Sequence, residues 1–144
     1  MDVVIDDHLL LKILLNDEPP ELRPPGARVF TTGLWYHRLC RAVATRAVTG
    51  ALTRSLGQAE PVVAISAVKA ITALPDTIGL VSFRDLAWTM ARLLDGGTRL
   101  NLMSLEALAA ARHLDAEICL AAIDENPLLL AAAADYRTPT RLLD

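Results

Sequence analysis

Acidic residues are missing from a long stretch of this chain. Between Leu22 and Ala59 there is no Asp or Glu, while the same stretch holds Arg23, Arg28, Arg38, Arg41, Arg46, Arg54 and His37. A basic element flanked by acids suits a protein that acts on a polyanion, with arginines for phosphate and carboxylates for metal. It equally fits a solvated helix face or one that meets an acidic partner. Cysteine is scarce. Cys40 and Cys119 have no metal-type spacing and read as free buried thiols in a reducing cytosol. No uninterrupted apolar run approaches the roughly 18–20 residues of a membrane span. The first residues carry Asp2, Asp6 and Asp7 in place of the basic start of a signal peptide, so the expected location is cytoplasmic, away from membranes. Internal repeats and low-complexity segments are lacking, and aromatics are only 4% of residues.

What is present is Ala and Leu. Hydrophobic residues make up 53% of the 144, enough for one domain, 1–144, with its own core. The positive mean hydropathy of +0.35 hints that some apolar surface is covered by a partner. The pattern predicts a short apolar strand Asp2–Ile5, then a helix to Leu15 that Asp6 or Asp7 caps. The four prolines of Asn16–Gly26 mark a loop, and Val29–Thr31 a short extended piece. Thr32-Gly33 opens one long helix, Leu34–Leu56, ended by Gly57. Trp35 and Tyr36 near its start form a packing cluster or a platform for a base. Another helix, Val62–Thr72, is almost wholly apolar and so should be buried on most sides. Strand Ile78–Val81 and a helix from Phe83 to Leu94 follow, with Ser82 as cap and Trp88 in the core.

The C-terminal third reads as helix Leu105–Leu114, apolar strand Glu117–Ile123, helix Leu128–Asp135 and a last edge strand, Thr138–Leu142. Short strands alternating with helices predict an α/β sandwich with a parallel sheet. Three acids fall at telling places. Asp6 and Asp124 stand where apolar strands stop, the end at which open α/β sheets hold their ligands. Glu106 lies in the first turn of its helix, capped by Ser104. Each has a plain structural role available, as an N-cap or a favourable first-turn acid. His8 and His113 read as surface or capping residues without a partner at ligand spacing.

At this point the residues carry a resemblance. The opening V-V-I-D-D-H-L-L-L-K-I-L-L is similar to the first strand and helix of PIN domains. The stretch L-E-A-L-A-A-A-R-H-L-D-A-E-I-C-L-A-A-I-D-E-N-P-L-L-L-A-A-A resembles the last third of that family, and R-T-P-T-R-L-L its closing edge strand. The resemblance implies a three-layer α/β/α sandwich and a metal-dependent endoribonuclease, many members being VapC-type toxins of toxin–antitoxin pairs. By the same likeness Asp6, Glu106 and Asp124 would hold Mg²⁺ or Mn²⁺ and support catalysis, with Asn126 as an extra polar ligand. Arg38, Arg41 or Arg46 would meet RNA phosphate. An antitoxin protein and a second copy of the chain are the implied protein partners.

Hard oxygen ligands in octahedral array suit such a cation, which activates water for attack on a phosphodiester. The sequence departs from the family at one position. PIN nucleases carry a Glu early in the next helix, which falls here within Trp35-Tyr36-His37-Arg38, and no acid stands there. Two readings therefore stay open: a nuclease short of one ligand, or a catalytically inactive PIN-like module that binds RNA or protein.

Overall fold

The computed structural model describes residues 1–45 and 50–144. Five strands, β1 (Val3–Ile5), β2 (Val29–Thr32), β3 (Ile78–Val81), β4 (Glu117–Ala121) and β5 (Thr140–Leu143), form one sheet in the order β3-β2-β1-β4-β5. Every neighbouring pair is parallel. A central parallel strand is covered on both faces, which is why β1 is apolar at every position. Val3 and Ile5 pack into one core with Leu9, Leu39 and Ile71. Val4, between them, faces a second core with Leu86, Leu108 and Leu129.

Helices α1 (Asp7–Leu14), α2 (Gly33–Ala44), α3 (Ala51–Gln58) and α4 (Pro61–Thr72) cover the first face. Helices α5 (Phe83–Asp95), α6 (Leu102–Leu114) and α7 (Pro127–Asp135) cover the second. The result is the expected three-layer α/β/α sandwich. Helix α6 is buried over eight consecutive residues, Ser104 through Ala111. Its alanines let the sheet and the flanking helices approach closely, so they are packing residues. No helix among the described residues is long and apolar enough to cross a membrane.

Several expectations from the pattern are corrected. The single helix over Leu34–Leu56 ends at Ala44, where Thr45 turns extended, and a new helix starts after Gly50. The β-branched Val43 and Thr45 disfavour continuation, and Gly57 lies inside α3 instead of ending it. The strand drawn to Ile123 stops at Ala121 and passes into a 3₁₀ turn, Ala122–Asp124. Its pairing with β1 ends at Ile5 opposite Cys119, so the backbone beyond has no strand on that side to continue a ladder. Asn126, not Asp124, caps the last helix. Helix α6 begins at Leu102 with Asn101 as cap, which moves Glu106 out of the first turn. The last strand is Thr140–Leu143.

Two surface findings also differ. Helix α4 buries only Ala67 and Ile71, leaving Val62 and Ile65 exposed, because it lies at the rim of its layer. Trp88 is 74% exposed, since Leu86, Met90 and Leu93 already take the inward side of α5.

In the sheet, Gly79 of edge strand β3 faces Phe30 of β2 in register. A methyl group on Gly79 would overlap the Phe30 ring, which lies across the glycine. Gly79→Ala should therefore cost about 1–3 kcal/mol through overpacking. The loss should shrink when Phe30→Leu is added, as urea unfolding of the single and double variants would show.

Candidate functional site

The strand order reverses direction at β1, and a crevice opens beyond the C-terminal ends of β1 and β4, as such sheets dictate. The side chains there come from four places. Asp6, Asp7 and His8 begin α1. Arg38 reaches in from the second turn of α2. Asp124 ends the 3₁₀ turn after β4, and Asn126 with Ser104 joins α7 to α6.

Asp6 is buried and spends both carboxylate oxygens on the backbone. Its Oδ1 accepts from the Leu9 amide at 2.9 Å, capping α1, and its Oδ2 accepts from the Ala121 amide at 2.8 Å, tying the end of β4 to β1. Burial pushes its pKa up to about 6, against the lowering effect of those two amides, while the neighbouring Asp7 charge adds to the rise. Glu106 is also fully buried. Its Oε1 accepts from the Leu34 amide at 2.8 Å, an orphan donor in the first turn of α2, and the helix dipole favours the negative charge there. Its Oε2 is the one buried side-chain polar atom among the described residues that has no hydrogen-bond partner.

Arg38 decides the electrostatics. Its Nε and Nη2 form a two-pronged pair with the fully buried Asp7, the Nη2–Oδ1 contact measuring 2.6 Å. The same Nη2 donates to Asp124 Oδ2 at 2.6 Å. Those two carboxylates hold the guanidinium charged, raising its pKa above the ordinary value, with the Asp7 hydrogen bond the largest cause and burial opposing it. His8 Nε2 stands 3.7 Å from the same Asp124 oxygen. Asp7, His8 and Asp124 each bring a ligand atom within 4.8 Å of the others, and they are the only such trio among the described residues.

The acids named from the sequence thus take different places. Asp124 joins the Arg38 cluster, whereas Asp6 and Glu106 serve helix ends and strand ties. Asp6 and Asp124 line one cavity of about 230 Å³ with Trp35, Arg38, Ser104 and Asn126, and Glu106 does not line it. Asn126 uses its Oδ1 on the Leu129 amide and its Nδ2 on Ser104 Oγ. Arg41 is exposed, and Arg46 lies outside the described residues. Trp35 is buried in the core and Tyr36 donates its hydroxyl to the Ile71 carbonyl, so both are packing residues.

Asp7 and His8 are not among the candidates the sequence offers, and Arg38, expected at RNA phosphate, pairs with two acids of its own chain. The signal was the doubled acid Asp6-Asp7 facing an arginine where an acid is expected. A metal would need free oxygen lone pairs converging on one point. Here two of the three, Asp7 and Asp124, already hold a guanidinium, and Asp6 and Asn126 are spent on local bonds. The residues present do not fit a resident Mg²⁺ or Mn²⁺ while Arg38 is in place.

Comparison with known proteins agrees on the fold. Among solved structures, the chain is similar to VapBC-1 from nontypeable Haemophilus influenzae, with a TM-score of 0.55 and 13% identity over 98% of this chain and 97% of that one. At that identity the likeness is one of fold alone, and it supports a PIN-like arrangement. No protein-family model matches the chain, and no curated protein matches it in sequence.

Removing Arg38 leaves Asp7 buried and unpaired. Arg38→Ala should cost about 3 kcal/mol, the low end for a broken buried pair because Arg38 is itself partly exposed. Adding Asp7→Asn should recover most of the loss, and denaturant unfolding of the four variants measures the coupling. Asp6 supplies a pH test. Its folded pKa of about 6 lies above the ordinary 3.8, so its protonation favours the folded state. That contribution is complete below about pH 4 and is lost as pH rises through about 6. Asparagine does not titrate, so the stability advantage of the wild type over Asp6→Asn should narrow between about pH 4 and pH 7.

Proposed function

We propose that this chain is a PIN-like domain that works by binding a protein partner and does not cut RNA. The observation that carries the proposal is Arg38 lying between Asp7 and Asp124. A permanent cation on the chain neutralises the carboxylates that hydrolysis would need for a divalent ion. The basic stretch gives a second support. Arg23 pairs with Glu18, Arg28 with Asp2, and Arg38 with Asp7 and Asp124. Among the described residues this leaves Arg41 and Arg54 as the arginines of that stretch without an ion pair.

Apolar surface, by contrast, is available. An open groove of about 630 Å³ at the end of the sheet is lined by Leu11, Leu15, Val63, Ala121, Ile123 and Leu143, with Val62 and Ile65 exposed on the same α4. The VapC-type resemblance gives the partner a kind, an antitoxin-like protein that lays an apolar segment on the domain.

A metal-dependent endoribonuclease is the second reading. It is favoured by the closeness of Asp7, His8 and Asp124 and by the spare oxygen of Glu106. Incubating the protein with structured RNA and Mn²⁺, with and without chelator, separates the two. No cutting is expected from the wild type. Chelator-sensitive cutting that disappears in Asp124→Asn would overturn the binding reading.

A further inference from the structure

An imidazole meets two carboxylates at the ligand end of the sheet, and their spacing is not that of a hydrogen-bonded cluster. His8 Nε2 stands 3.7 Å from Asp124 Oδ2, too far for a hydrogen bond. Ligand atoms around a tetrahedral zinc ion, each about 2.0–2.2 Å from the metal, lie about 3.3 Å from one another. Asp7, His8 and Asp124 offer one nitrogen and two oxygens within 4.8 Å, so a closing of at most about 1.5 Å brings them to that spacing. Charge points the same way. Asp7 and Asp124 bring two carboxylates to the single charge of Arg38, and a divalent ion would balance both. The guanidinium also has a way out. The Arg38 side chain is 35% exposed, and an open cavity of about 280 Å³ beside it is lined by His8, Arg41, Ala42 and Thr45.

We propose that Arg38 is a displaceable occupant, and that Asp7, His8 and Asp124 form a site for a borderline transition ion such as Zn²⁺ once the guanidinium has swung into that cavity. The donor set selects the ion. An imidazole nitrogen with two carboxylates suits Zn²⁺, whereas Mg²⁺ takes oxygen ligands. Three protein ligands leave a fourth position to water. Asp6 takes no part, since both its oxygens serve backbone amides. The exchange replaces one cation by another, so the buried Asp7 is never left unpaired, which is the costly outcome. Arg38 ties α2 to the start of α1 and to the turn after β4. Its displacement frees α2 from that tie, while the ion keeps α1 and the turn together. The pocket is thereby a metal-sensitive latch on α2. The inference rests on neither reading of the function, and its test uses no RNA.

Equilibrium dialysis against Zn²⁺ near neutral pH tests it. The wild type should take up one Zn²⁺ per chain with micromolar affinity. His8→Asn and Asp124→Asn should each weaken uptake about tenfold or more. Arg38→Gln should tighten it about a hundredfold, because no guanidinium then has to be expelled from a buried acid. Should that variant fail to fold, Arg38→Lys replaces it. Lysine keeps the charge but loses the two-pronged contact, so uptake should tighten about tenfold. A wild type that takes up no Zn²⁺ below about 0.1 mM overturns the proposal. Uptake that His8→Asn leaves unchanged also overturns it, by placing the ion elsewhere, as at the free thiols of Cys40 or Cys119. So does an Arg38 variant that binds no tighter than the wild type, since the guanidinium and the ion would then not compete.

Discussion

A guanidinium held between two carboxylates sits where the parallel sheet reverses direction, and the behaviour of the site follows from it. Asp7 is fully buried, and a lone carboxylate there would be costly. Arg38 satisfies it with two parallel hydrogen bonds and still reaches Asp124. The pair fastens α2 to the start of α1 and to the turn after β4. The same contact fills the place where a divalent cation would gather these acids. Structure and chemistry thus compete for one pocket, and in this chain the internal cation holds it.

The other acids illustrate a general economy. Asp6 caps a helix and ties the end of one strand to the next, using both oxygens on amides. Glu106 serves the first turn of α2 from within α6. Each carboxylate of the sheet's ligand end is also a structural device, so removing any one would disturb the fold as well as any chemistry. That dual use separates this pocket from an array of acids kept free for a metal.

The surface divides along similar lines. Two arginines that look like part of a basic patch in the sequence are paired with acids far away in the chain, Arg28 with Asp2 and Arg38 with Asp7 and Asp124. Apolar residues that look like core are exposed on α4 and α5 instead.

Local pattern was enough for the class of fold. The all-apolar β1 required cover on both faces, and the alternation of short strands with helices required parallel neighbours. It also placed Asp6 and Asp124 near the sheet's C-terminal ends, because a residue's position along a strand is a one-dimensional fact. What lay beyond local pattern was which side chains meet. Residue type alone cannot assign a helix face, since Trp88 reads as core yet lies opposite Leu86, Met90 and Leu93 on α5. Nor can it pair Arg38 with acids 31 and 86 residues away in the chain. That pairing exists only once α1, α2 and the turn after β4 converge, and it takes up oxygens that Asp7 and Asp124 would otherwise offer.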